Sequence, residues 1–107
     1  MVRRRLKSVH WHGDTRDIIR RFPKIVRRTL GSELYLLQLG ERPLHSRPMA
    51  IVGRGVWEIR ITDGRVAFRV FYFVRRKDGI HVLHVFQKKT RKMPKPISSW
   101  VRQDIWT

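Results

Sequence analysis

A single carboxylate lies among arginines in the second half of the sequence. Glu58 and Arg60 are two residues apart in a segment that alternates polar and apolar side chains, so both point to one face of a predicted β-strand. Arg65 and Arg69 lie on the polar row of the next predicted strand. One acid among several cations on a sheet face is suited to binding a phosphodiester and acting on it.

RNA carries its own nucleophile, the 2′-hydroxyl, so its cleavage needs only a base, an acid and cations that stabilise the transition state. We expect Glu58 to be the base, the arginines to bind the phosphate, and a lysine after the last strand to be the acid or a further cation. The alternative is structural, with Glu58 held in a cross-strand ion pair by Arg60 or Arg69. The candidate catalytic residues are Glu58, Arg60, Arg65, Arg69, Lys88 and Lys89.

The chain is strongly basic, which indicates a polyanion as its partner. Its 107 residues include 25 Lys and Arg against 8 Asp and Glu, and the formal net charge is +17. A small domain with this surplus repels itself, and phosphate binding would account for the surplus. The candidate RNA-binding residues are Arg75, Arg76, Lys77, His84, Arg91 and Lys92.

Composition and motifs exclude several kinds of site. The sequence has no cysteine, which excludes disulfides, iron–sulfur clusters, zinc ribbons and thiol nucleophiles. It also has no phosphate-binding glycine loop, no nucleophile elbow and no cluster of carboxylates for metal ions. His10 and His12 are spaced for one face of a strand, but no third metal ligand is evident. We therefore predict neither a cofactor nor a metal.

Hydropathy predicts a cytoplasmic protein that does not contact a membrane. The sequence shows neither an apolar run long enough to span a bilayer nor a secretory signal. Its length predicts one domain over residues 1–107.

The elements that position the candidate residues follow from periodicity. Alternation predicts a short strand around His10. Helical spacing predicts a short helix that ends near Phe22 and a second helix from Pro23 to Leu39. Gly31 lies inside the second helix, where we expect it to allow close packing against another element. The stretch from Glu41 to Gly55 is rich in proline and glycine and is predicted to be a loop.

Everything after this loop is predicted to be strand until the basic tail. Asp63-Gly64 and Asp78-Gly79 are typical of hairpin turns, so three strands form an antiparallel meander. Strict alternation puts His81 and His84 on opposite faces of the last strand. Apolar spacing from Ile97 onward predicts a short C-terminal helix. The predicted fold class is α+β, a small twisted and mainly antiparallel sheet with two helices on one face. The three predicted strands are Val56–Ile61, Val66–Val74 and Ile80–Phe86.

Several segments of this sequence match a known pattern. The most specific are GVWEIR from Gly55, RVAFRVFY from Arg65 and LHVFQKKT from Leu83. With Phe22-Pro23 upstream and Met93-Pro94 downstream, they resemble the phage-derived, HigB-like branch of the RelE/ParE toxin superfamily. The resemblance runs from about residue 7 to residue 95.

The resemblance implies a RelE-like fold and the toxin of a type II toxin–antitoxin system. Such a toxin cleaves mRNA on the ribosome and arrests growth by inhibiting translation. Its implied partners are the ribosome, mRNA and a cognate helix-turn-helix antitoxin, with operator DNA contacted only through the antitoxin. By position, the resemblance places Glu58, Arg60, Arg65 and Lys89 where relatives have catalytic residues.

Two other functions are compatible with the sequence. One is a ParE-like toxin that targets gyrase on the same fold. The other is a phage-derived nucleic-acid-binding protein without catalytic activity, in which the positive charge serves phosphate contacts alone. Glu58 favours the nuclease, because phosphate binding by itself does not need a carboxylate.

Overall fold

The computed structural model describes residues 5–89, which form one five-stranded sheet and two helices. The strand order is β1-β5-β4-β3-β2, with β1 parallel to β5 and every other pair antiparallel. This confirms the predicted α+β class. The predicted C-terminal helix from Ile97 lies outside the described residues. The elements are β1 (Val9–Trp11), α1 (Thr15–Arg20), α2 (Lys24–Gln38), β2 (Ser46–Pro48), β3 (Trp57–Asp63), β4 (Val66–Arg75) and β5 (Gly79–Lys89).

The core lies between the helices and one face of the sheet. Burying each large apolar side chain there contributes roughly 1.5–3 kcal/mol, which is the main force that holds α2 on the sheet. No helix within residues 5–89 is long and apolar enough to cross a membrane. The buried stripe of α2 has the predicted helical spacing: Val26, Leu30, Leu34 and Leu37. The apolar residues of the sheet that complete this core include Ile59, Ile61, Phe68, Val70, Tyr72, Ile80, Val82 and Val85.

The ends of α2 follow from local chemistry. Pro23 is its N-cap, and Gly40 adopts a φ of +84° just after its end, where its N–H donates to the Leu37 carbonyl at 2.9 Å. The prediction for Gly31 was wrong. It is exposed, and no atom of another element described in the structure lies within 4 Å of the position that its Cβ would take.

The predicted loop from Glu41 to Gly55 contains a strand that the sequence did not indicate. Strand β2 pairs with β3, and Arg47 lies opposite Glu58. Its three residues are too few for an alternation signal, and Pro48 argues against a strand unless it lies at an edge. Because β2 is the edge strand, the proline is tolerated there.

The meander of β3, β4 and β5 is as predicted, except for one bulge. Opposite Phe71 and Tyr72 of β4 lie His84 and Val82 of β5, so Leu83 has no partner in the register. The extra residue reverses the alternation of β5. The prediction that His81 and His84 lie on opposite faces was therefore wrong, since both lie on the face of the sheet away from the helices.

The turn between β4 and β5 depends on a glycine. Gly79 has a φ of +107°, and a Cβ built on it would lie 2.4 Å from the backbone oxygen of Ser8. The close approach brings the segment before β1 against the turn, where the Ile80 N–H donates to the same oxygen at 2.9 Å. This contact positions β1 beside β5.

Candidate functional site

The sheet surface opposite the helices, called the open face below, carries the candidate residues. Ile59 and Val70 are in the core, so alternation directs their neighbours Glu58 and Arg69 to the open face. Register then places two cross-strand rows next to each other on this face. One row is Arg47, Glu58, Phe71 and His84, and the other is Arg60, Arg69 and Phe86.

Glu58 is completely buried on this face and is held by two arginines. Its Oε1 accepts from Nε of Arg47 at 3.1 Å, and its Oε2 accepts from Nε of Arg69. We call Arg47, Glu58 and Arg69 the arginine–glutamate cluster. The alternative that Glu58 pairs with Arg69 is confirmed, and the guanidinium groups of Arg47 and Arg69 cover the carboxylate.

The arginines of the cluster keep donors that Glu58 does not use. Each guanidinium bonds Glu58 through Nε, and the four N–H groups of its terminal nitrogens can donate to another acceptor. The Arg69 guanidinium also lies over the rings of Phe71 and Phe86, 5.7 Å and 5.2 Å from their centroids. Ion pair and rings together fix its position, and its side chain is 17% exposed against 57% for Arg47.

Arg60 adds a further cation beside the cluster. It is exposed and lies directly across from Arg69, and like charges in a cross-strand pair destabilise a sheet. Three arginines around one carboxylate leave two positive charges in excess, which an anion such as a phosphate would neutralise.

The structure brings only some of the other candidate catalytic residues to this place. Lys88 lies opposite Ala67 on the open face. Lys89 lies opposite Val66, which packs against the core, so Lys89 is directed away from the cluster. Arg65 precedes β4 in the hairpin and is exposed.

The candidate RNA-binding residues lie apart from the cluster, with one exception. Arg75 is the last residue of β4, and Arg76 and Lys77 follow in the turn. This turn lies at the end of the β4–β5 pair opposite to Lys88. Arg75 is ion-paired with Asp78 at 3.6 Å. His84 is the exception, because its ring lies against Phe71 and Phe86, which also contact Arg69. Arg91 and Lys92 lie outside the described residues.

A group of histidines occupies the β1 edge of the open face. His81 is buried, and its ring lies between the rings of His10 and Phe73, with both centroid distances 4.7 Å. Its nitrogens are within hydrogen-bond distance of His12 at 2.9 Å and of Asp78 at 3.1 Å. The hydrogen bond from His81 lowers the pKa of the Asp78 carboxyl below its usual value. Within residues 5–89 no three side chains are grouped to hold a metal ion.

Sequence reasoning missed Arg47 and the contacts of Phe71 and Phe86 with Arg69. Arg47 escaped notice because its strand is short and contains a proline. The two phenylalanines lie on polar rows of their strands, and this departure from alternation is the signal that could have identified them.

An α+β sheet with two helices on one face and a basic open face is compatible with a RelE-like fold. A model of the family described as phage derived protein Gp49-like (DUF891) matches residues 17–100, and the chain belongs to this family, which is toxin-like and of the RelE/HigB type. No curated protein and no solved structure matches the chain.

Proposed function

We propose that this protein is the toxin of a type II toxin–antitoxin system and that it cleaves mRNA on the ribosome without a metal ion. Its membership of the Gp49-like family supports a toxin. The observation that carries the nuclease proposal is the arginine–glutamate cluster with Arg60 beside it, which concentrates phosphate-binding donors at one place on the open face.

The reaction is a transesterification within the RNA. The 2′-oxygen attacks the adjacent phosphorus as it loses its proton, the bond from phosphorus to the 5′-oxygen breaks, and that oxygen gains a proton. The products are a 2′,3′-cyclic phosphate and a 5′-hydroxyl. Negative charge that develops on the phosphoryl oxygens is stabilised by the guanidinium groups of Arg60 and Arg69.

Burial of Glu58 favours the positioning role over the role of base. Glu58 is completely buried behind the two guanidinium groups, so one of them would have to move before the carboxylate could reach a 2′-hydroxyl. As a positioning residue it aligns the two guanidinium groups toward the phosphate. The exposed side chains nearest in register that can carry a proton are then His84 and Lys88, and an imidazole can both accept and donate a proton.

The proposed partners follow from charge and from the type of system. A net charge of +17 suits the ribosome and its mRNA. A cognate helix-turn-helix antitoxin would neutralise the toxin and connect it to operator DNA.

Induction of the protein in cells followed by mapping of transcript ends tests this proposal. We expect cuts confined to translated regions and in frame with codons, and we expect none from an Arg60→Ala variant produced at the same level. DNA damage with intact transcripts would instead indicate a toxin that targets gyrase. Intact transcripts without DNA damage would indicate a nucleic-acid-binding protein that is not a nuclease.

A further inference from the structure

Aromatic rings cover much of the open face next to the arginine–glutamate cluster. The Phe71 and Phe86 centroids are 5.5 Å apart, and His84 packs on Phe86 at 5.2 Å. Beyond them Phe73 is parallel to His81 within 5°. Phe71, Phe73 and Phe86 are half-buried and His84 is exposed, and partly exposed rings on the sheet face away from the core indicate a binding surface. We call the following residues the ring surface: His10, Phe71, Phe73, His84 and Phe86. The buried His81 packs between His10 and Phe73 and supports this surface.

The β-bulge at Leu83 makes the ring surface continuous. Without the extra residue, alternation would direct either His81 or His84 into the core side of β5. With it, one histidine lies beside Phe73 and the other beside Phe71. Bulges often redirect a side chain where a strand serves a function, and here the redirected side chains are rings.

Cations lie on both sides of the ring surface along β4. The open-face residues Arg69, Phe71, Phe73 and Arg75 follow one another at two-residue steps of about 6.7 Å. Arg69 lies over Phe71, and Arg75 lies over Phe73 at 5.9 Å from its centroid. Rings between cations are the arrangement with which proteins bind single-stranded nucleic acid, the rings stacking on bases and the cations contacting phosphates.

From these observations we propose that the ring surface binds the bases of single-stranded RNA that runs along β4 from the arginine–glutamate cluster toward Arg75. This inference rests on the proposed function. Double-stranded RNA does not present its bases to such a surface, since they are paired and stacked inside the helix. A second copy of the chain fits poorly, because both copies carry a net charge of +17.

Binding of short RNA to the purified full chain tests this inference. All proteins carry Arg60→Ala to prevent cleavage, and fluorescence anisotropy reports the affinity for a labelled ten-nucleotide RNA. The comparison ligand is the same strand with four central nucleotides abasic, which keeps every phosphate. We expect the abasic strand to bind roughly tenfold more weakly, because base stacking is lost.

Phe73→Leu should weaken binding of the complete RNA about fivefold and leave binding of the abasic strand unchanged. Phe73→Trp keeps a ring and should restore the affinity, which separates loss of stacking from loss of folding. Tyr35→Leu is the matched control, since Tyr35 is an exposed ring on α2, on the other side of the sheet. We expect it to change neither affinity.

Equal affinities for the complete and abasic strands would overturn the inference. So would tighter binding of a duplex of equal length, or a change from dimer to monomer in Phe73→Leu with RNA binding unchanged. The outcome is separable from the proposed function. If transcripts are cut in frame but the complete and abasic strands bind equally well, only the proposal for the ring surface is refuted. If the complete strand binds more tightly but transcripts stay intact, only the proposal of a nuclease is refuted.

Discussion

Two buried glutamates lie on opposite sides of this sheet and have different kinds of partner. Glu33 of α2 is 2% exposed, and its carboxylate accepts backbone N–H groups of Leu44 at 3.1 Å and His45 at 2.8 Å. Glu58 is 0% exposed, and its partners are the guanidinium groups of Arg47 and Arg69. Burial of an acid therefore does not by itself identify a functional site.

The partners decide what each carboxylate can do. Each backbone N–H that donates to Glu33 has a single hydrogen and cannot bind a further acceptor. These two hydrogen bonds therefore fix the segment before β2 against α2. The guanidinium groups around Glu58 have further donors and lie on a basic face. Glu58 thus organises a surface that can receive an anion, and Glu33 stabilises a loop.

The largest effect is expected from Arg69→Ala, which would leave Glu58 buried without its less exposed partner. Breaking a buried ion pair lowers the free energy of unfolding by about 3–5 kcal/mol, and we expect a loss near the lower end of this range because Arg47 stays bonded to Glu58. Urea denaturation measures this loss of free energy. The control is Arg60→Ala, an exposed residue, which should change the free energy of unfolding by about 0.5 kcal/mol or less. A double variant, Glu58→Leu with Arg69→Met, should recover much of the loss. If Arg69→Ala and Arg60→Ala had the same free energy of unfolding, the cluster would not be an ion pair in solution.

Glu33→Gln should lower the free energy of unfolding by about 1–3 kcal/mol, because charge-assisted bonds to two backbone N–H groups become one neutral bond. The rate of mRNA cleavage by the folded protein should not change. The control is Asp17→Asn, an exposed acid in the first turn of α1, for which we expect a smaller loss. Loss of cleavage in a stably folded Glu33→Gln protein would contradict the separation of the two glutamates.

Glu58→Gln separates a positioning residue from a base. Glutamine keeps the shape and one oxygen acceptor, so a positioning residue should lose about tenfold or less in single-turnover cleavage on purified ribosomes, with the pH profile unchanged. Loss of the general base should instead cost about 100-fold or more and remove a limb of the pH profile. Binding to ribosomes should be kept in either case, since the substitution removes a buried negative charge and no cation of the open face.

The smallest effect is expected at the exposed acid of the β4–β5 turn. The hydrogen bond from His81 lowers the pKa of Asp78 below its ordinary 3.8. A carboxyl with a lowered pKa in the folded state stabilises the protein above its unfolded pKa and loses this contribution as the pH falls through the folded value. The melting temperature of Asp78→Asn should therefore lie below that of the wild type at neutral pH, and the two should converge below about pH 4. A constant difference down to pH 2 would contradict this account.

Much of the fold could be predicted from local patterns. The stripe of α2 and the two Asp-Gly turns are short-range signals, and the structure has them where they were expected. Strand β2 and the bulge at Leu83 could not be predicted, because both depend on pairing with residues distant in sequence. The bulge is visible only when β5 is aligned with β4, and it alone decides the face on which His84 lies.

The candidate site could be predicted only as a set of side chains on one face. Alternation placed Glu58, Arg60 and Arg69 together, which the register confirms. Alternation shows which face a side chain lies on, but not whether its neighbours on that face cover it. The burial of Glu58 under Arg47 and Arg69 could therefore not be predicted. The separation of Lys89 from Lys88 follows from their adjacency in one strand.

The central claim is that cations on the open face stabilise the transition state of RNA cleavage. The most direct test is the single-turnover rate of mRNA cleavage on purified ribosomes for Arg60→Ala against Arg28→Ala. Both residues are exposed arginines, and Arg28 lies on α2, so each variant loses one charge without a buried contact. We predict a loss of about 100-fold or more for Arg60→Ala, as for removal of one transition-state donor, and a loss of less than about threefold for Arg28→Ala. Equal losses would show that total charge, and not the open face, determines the activity.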